Sequence, residues 1–367
     1  MLASRYRTTY ALLAFLAIWL LSADVPLIAQ VTQPSGVQAS PTEGSEDAEG
    51  ADADLHSFRV HVRELFNQGS YSELDNIAAR VQNERLRFRG GFWQIHIFYV
   101  MISNPGSLTA TDAEWQANIA SLEKWAKDYP DSPVPRIALA DLYGRFAWKA
   151  RGNGVAKTVT PEGWDLFNQR IQKARQILDD SAKMSVNCPE WYQAMQLVAR
   201  AQSWPQKQVD ALVEQAFDHE PGYYYFAMEH ANYLLPKWGG KPGETEQFAE
   251  QISDRTGGDE GNIEYFMIAS FINCCRKTQA PGFSWPRVKQ GFAALDRQFG
   301  TTNPQRNVMA WLALRAGDKE TAQQMFARIG NDWNESVWRA KSLFDASRTG
   351  QPVGGVQPLK PDTPAAK

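Results

Sequence analysis

Between Leu55 and Arg348 the sequence repeats one pattern: a single apolar stripe at helical spacing, again and again. Trp115, Ile119, Leu122, Ala126 and Tyr129 follow one another at offsets of three and four. Trp164, Phe167, Ile171, Ala174, Leu178 and Ala182 do the same. So do Val209, Leu212, Val213, Ala216 and Phe217, and then Trp285, Val288, Phe292, Leu295 and Phe299. Such offsets put each set on one face of an α-helix, with charged residues on the opposite face. Proline punctuates the pattern where helices begin. Pro161 follows the N-cap candidate Thr160, and Pro189, Pro205, Pro221, Pro242, Pro286 and Pro304 precede or open further segments. The spacing predicts roughly 14 to 16 helices joined by short turns.

A helix with one apolar face gains little stability alone and must stack on neighbours. The expected fold is therefore all-α: an α-α superhelix of antiparallel helix pairs, a tetratricopeptide-like solenoid that is degenerate in the middle. Two turns carry the repeat signature. Gly69-Ser70-Tyr71 is followed by Leu74, Ala78 and Val81, and Gly317-Asp318-Lys319 by Ala322, Phe326 and Ile329, with small Ala310 in the preceding segment. Leu122 and Trp125 running to Pro130 form a weaker third match. With 13 tryptophans in the chain, many should be wedges between helices. Trp115, Trp164 and Trp285 are expected to be buried.

Three stretches resemble a bacterial family of helical repeats, domain of unknown function 4034. They are Pro130-Asp131-Ser132 leading through Ala147-Trp148 to Arg151-Gly152 and Gly163-Trp164; Leu234 to Gly240 behind the aromatic run Tyr223 to Phe226; and Ala316-Gly317-Asp318 through Ile329 to Trp338. The resemblance implies a helical-repeat domain without an assigned activity, and it adds no chemistry.

The ends read differently. Arg5 and Arg7 precede the apolar run Ala11–Leu21, which is short for a bilayer span. Residues 1–29 are thus expected to be a signal peptide, an uncleaved anchor being the alternative, and the mature protein to be periplasmic or secreted. Residues 30–54 carry six acids and no base, with few large apolar groups, and predict a disordered acidic linker. Residues 55–348 are the helical-repeat domain, and 349–367, rich in Pro and Gly, a disordered tail. Of three cysteines, Cys274 and Cys275 are adjacent, and vicinal disulfides are strained. All three, Cys188 included, are expected to be small buried residues, a disulfide from Cys188 to either of the others being the alternative.

Chemistry is sparse. The five histidines lack the spacing of a helical zinc site, and His96 lies in an apolar stretch that suits a hydrogen-bonded core residue. No nucleophile elbow or phosphate loop appears, so no metal and no cofactor is expected. A net charge of −3 gives no reason to expect nucleic acid. Candidate binding residues are Trp148, Arg151 and Trp164 at one helix end, then Tyr224, Lys237 and Trp238 around the second resembling stretch. Arg151 is expected to be buried against a carboxylate or helix-end carbonyls. Of the four consecutive aromatics Tyr223–Phe226, at least one should lie outside the core. The preferred function is a scaffold in the envelope that binds a protein or peptide on a concave surface. The alternative is an α/α-toroid enzyme acting on glycan, with Glu229, Glu260 and Glu264 as nearest candidate acids.

Overall fold

Caps and prolines set the helix boundaries much as the periodicity anticipates. The computed structural model describes residues 46–106, 110–152, 154, 156–184, 188–236, 240–273 and 282–350. Among them the chain forms α1 (Glu46–Gln68), α2 (Tyr71–Asn83), α3 (Gln94–Ile102), α4 (Asp112–Asp128), α5 (Val134–Arg151), α6 (Pro161–Ser181), α7 (Pro189–Ala201) and α8 (Gln206–His219). It continues with α9 (Tyr224–Tyr233), α10 (Glu244–Thr256), α11 (Gly258–Asn273), α12 (Trp285–Phe299), α13 (Asn303–Ala316), α14 (Lys319–Ile329), α15 (Glu335–Trp338) and α16 (Lys341–Arg348). Thr160 caps α6 by accepting from the Gly163 amide, and Pro161 sits in the first turn. Thr111 with Glu114 and Thr302 with Gln305 form capping boxes on α4 and α13.

The two repeat-like turns lie where the glycines predict. Gly69 (φ 73°) separates α1 from α2, and Gly317 (φ 76°) separates α13 from α14. Both take the left-handed conformation that ends helices cheaply only with glycine. Leu74, Ala78 and Val81 behind the first, and Ala322, Phe326 and Ile329 behind the second, are buried, as is Ala310.

Packing follows a simple rule. Along the chain, α1 meets α3, α3 meets α7, and α5, α7, α9, α11, α13 and α15 touch in succession. The even-numbered helices pack against this inner row. One large core joins α1–α5 to α8–α16; a smaller one lies between α5, α6, α7 and α8. The two ends of the large core are tied by residues 84–93, between α2 and α3. The Gly90 amide donates to the Gly300 carbonyl (3.0 Å), and Gln305 Nε2 donates to the Gly90 carbonyl (2.8 Å). Arg87 makes a two-pronged pair with Glu260 (3.0 and 3.1 Å), and Arg89 donates to the Thr301 carbonyl (3.0 Å). Gly91 fits because it has no side chain: a Cβ there would stand 2.8 Å from Leu295 Cδ1.

Several expectations are corrected. Residues 46–54 belong to α1 and not to a linker; acidic residues favour a helix N-terminus, where the backbone amides carry partial positive charge. Tyr223, Tyr224, Tyr225 and Phe226 are all buried. Helix α9 has α7, α8, α10 and α11 against it, so an aromatic finds a neighbour in every direction. Trp115 is buried, but Trp164 and Trp285 are only half-buried. Tyr129, read as the end of an apolar stripe, is 37% exposed, while Trp125 takes the buried place. Residues 1–45, on which the expected signal peptide falls, Cys274, Cys275, and the residues beyond 350 lie outside the described residues.

Candidate binding site

Helix α5 ends with Trp148, Lys149 and Arg151, and Gly152 (φ 71°) turns the chain. The turn brings Trp148, Arg151 and Trp164 together, as the sequence suggests. The Arg151 guanidinium carbon stands 5.3 Å from the ring centre of Trp148 and 5.4 Å from that of Trp164, within cation–π reach. Its Nη1 donates to the carbonyls of Gly154 (3.1 Å) and Gly152 (3.4 Å). Arg151 is buried, and that burial lowers its pKa. With Nη1 turned onto its own loop and the side chain buried, it closes the end of α5 and does not stand open in a groove. Tyr224 is elsewhere: its hydroxyl donates to the Gly91 carbonyl (2.9 Å) in the large core. Lys237 and Trp238 lie outside the described residues.

The candidate acids do not face one another across a cleft. Glu229 is paired with Arg200 (2.8 Å) and Glu260 with Arg87. Glu264 is almost wholly buried and accepts from Thr256 Oγ1 (2.6 Å); burial pushes its carboxyl up to about 7. His96 is a hydrogen-bonded core residue, as expected, with Nδ1 at 2.7 Å from Glu190 Oε1 and its ring stacked on Tyr225. Glu190 also accepts from the Tyr223 hydroxyl. Among the described residues no group of three or more His, Cys, Asp or Glu could hold a metal ion. No helix among them is long and apolar enough to cross a membrane.

A second place was not visible in the sequence. The α2 helix, the turn between α4 and α5 and the start of α7 enclose an open cleft of about 620 Å³. Asp75 and Gln82 stand on the α2 wall, Tyr129 and Asp131 on the turn, and Tyr99 and Cys188 behind them. Cleft-sized spaces of this volume suit small ligands or a few residues of a peptide. Asp75 is half-buried and bonded only to neutral donors, Ser132 Oγ at 2.6 Å and Trp125 Nε1 at 3.3 Å. Desolvation raises its pKa, and the two hydrogen bonds oppose that rise. Asp128, on the rim, is paired with Lys124.

Behind the carboxylates, the Cys188 thiol donates to the Tyr99 hydroxyl oxygen (3.6 Å). Burial pushes the thiol up to about 12 and also raises the phenol. Burial thus favours the neutral form of both groups, which are bonded to each other at the back of the cleft. From the sequence the cysteine reads as a packing residue, and nothing singles out Asp75. The one clue in the sequence is the Pro130-Asp131-Ser132-Pro133 turn, whose prolines lie between the end of α4 and the start of α5. No protein-family model, curated protein or solved structure matches this chain.

Proposed function

We propose that this protein is an exported scaffold of the bacterial envelope, a tetratricopeptide-like superhelix of the kind implied by the resemblance to domain of unknown function 4034, and that it binds a polypeptide partner. The cleft between α2 and the α4–α5 turn is the observation that carries this reading. It is the contact place we assign in preference to the inner surface of the helix row. Residues 84–93 already bond to α11, to the turn before α13 and to α13 itself, so those groups are taken within the chain. The cleft, by contrast, opens to solvent beside the exposed ring of Tyr129. The former alternative, glycan hydrolysis, would need two acids free to exchange protons; Glu229 and Glu260 are each held by an arginine.

Site-specific photocrosslinking in the native host tests this. A benzoylphenylalanine at Asn83, exposed on the cleft rim, should give a discrete protein adduct in the envelope fraction. The same probe at Leu166, exposed on α6, should give none. An absent adduct at Asn83, or equal labelling at both positions, would sink the reading.

A further inference from the structure

We propose that Asn334 is a glycosylation site: its side-chain amide takes an oligosaccharide, delivered as a lipid-linked sugar pyrophosphate, when the chain is exported. The inference rests on the export reading above and adds a covalent modification to it.

The sequence supplies the acceptor pattern. Asn334-Glu335-Ser336 has the asparagine, a following residue that is not proline, and a hydroxyl residue two places on. That is the pattern on which an asparagine accepts a glycan. No other asparagine in the chain has Ser or Thr at that spacing. Asp332, two places before, adds a carboxylate on the other side, a second handle for a basic pocket on the transferring enzyme.

The structure supplies the context that the pattern needs, a surface loop in an exported chain. The segment leads from α14 into α15. Asp332, Glu335 and Ser336 are exposed, and Asn334 is half-buried. The Asn334 amide has a defined orientation, because Oδ1 accepts from the Val337 amide (3.2 Å) as the cap of α15. Nδ2, the atom to be modified, has no hydrogen-bond partner among the described residues and reaches solvent. A sugar on Nδ2 replaces one hydrogen and leaves the carbonyl oxygen in place, so the cap survives the modification.

The contacts of the loop also set the order of events. Asn303 Nδ2 donates to the Asp332 carbonyl (2.6 Å), Asn307 Nδ2 donates to the same oxygen (3.3 Å), and the Asn334 backbone amide donates to Asn307 Oδ1 (3.1 Å). An enzyme would have to break these bonds to bend the folded loop into an active site. Attachment therefore belongs to the newly exported chain, before the loop docks on α13. In the reaction Nδ2 attacks the anomeric carbon of the sugar. The bond from that carbon to the pyrophosphate oxygen breaks, the lipid pyrophosphate leaves with the electron pair, and one amide proton passes to a base on the enzyme.

Mass spectrometry of the protein purified from the envelope fraction of the native host tests this. The tryptic peptide Ile329–Arg339 should be heavier by whole sugar residues, and fragmentation should place the increase on Asn334 and not on Asn331. Asn334→Asp keeps a capping oxygen and removes Nδ2. Ser336→Ala removes the hydroxyl at an exposed position. Both proteins should fold, as their circular dichroism will show, and both should lose the added mass. Asp332→Asn should lower occupancy several-fold. An exported protein whose peptide is unmodified, or an increase that survives Asn334→Asp or Ser336→Ala, would overturn the inference and leave export standing. Unmodified protein confined to the cytosol would overturn the export reading, and the inference with it.

Discussion

Around α9–α16 seven large aromatic side chains are sealed in, Tyr223, Tyr224, Phe226, Tyr265, Phe266, Trp338 and Phe344, each at most 1% exposed, although Trp285, Trp311 and Trp333 at its edge are only partly buried. Around α5–α8 the tryptophans stop half-way. Trp148, Trp164, Trp191 and Trp204 are only partly buried and pack against the smaller core from its edge. Arginines roof some of them: Arg151 lies against Trp148 and Trp164, and Arg175 stands 4.4 Å over Trp204. The contrast follows from the number of layers. Inner helices such as α9 and α11 have helices on several sides, so a ring can be enclosed. The edge of the α5–α8 unit has fewer neighbours, and the flat, weakly hydrated guanidinium takes the place of a further helix.

Truncation of a tryptophan in each region should show the largest difference. Trp338 is fully buried between Trp311, Phe326 and Phe344, and its Nε1 donates to Asn307 Oδ1 (2.8 Å). Trp338→Ala should cost about 3–5 kcal/mol in urea unfolding, the range for large aromatic rings in a core. Trp164→Ala should cost only about 1–2 kcal/mol, because part of the ring is already in water. Equal costs would mean that the two regions are packed alike and that the arginine roof is as tight as a helix.

The same contrast explains what could be read from the chain. Periodicity reports one buried face, so it located helices such as α4, α6, α8 and α12 well. It has no signal for helices buried all round, and α9 and α11 are that kind: Tyr223–Phe226 crowd no solvent face. The glycine turns at Gly69 and Gly317 were legible because only their conformation mattered. The clasp of residues 84–93 was not, since Arg87 meets Glu260 across a sequence distance that no local pattern encodes. Of the site residues, Trp148, Arg151 and Trp164 are neighbours along the chain and were grouped correctly. Asp75, Tyr99 and Cys188 come from three separate helices or helix ends, and only folding brings them together.

A titration tests the sealed region more gently. Glu264 in α11 is buried and its carboxyl is raised from 4.5 to about 7. The folded state therefore holds a proton that the unfolded chain has released between these values. Stability should fall as pH rises through that window and level off above about 7. In Glu264→Gln, whose amide oxygen can still accept from Thr256, the loss should vanish. The variant should be more stable than the unaltered protein at pH 8 by up to about 3 kcal/mol, and equal to it near pH 4. A wild-type stability curve that is flat from pH 4.5 to 7, or one unchanged by the substitution, would show that water reaches Glu264 and that the large core is less sealed than its aromatics imply.

The smallest effect belongs to the edge of the α5–α8 unit, at Arg151. Its guanidinium does two things: Nη1 donates to the carbonyls of Gly154 and Gly152, and its plane lies near two indoles. A lysine ammonium keeps the charge but is a compact, strongly hydrated point that stacks poorly on flat rings. One hydrogen bond lost at net worth of about 1 kcal/mol, with part of a cation–π contact, sets the scale. Arg151→Lys should therefore destabilise by about 1–2 kcal/mol, and the fluorescence of the nearby tryptophans should shift to the red as water reaches them. The crosslink from Asn83 in the cleft should not change, because Arg151 does not line the cleft. An unchanged thermal midpoint would remove the roof from the account of the α5–α8 edge. A lost Asn83 crosslink with an intact midpoint would instead move the binding place to the end of α5, where Trp148 and Trp164 would become its walls.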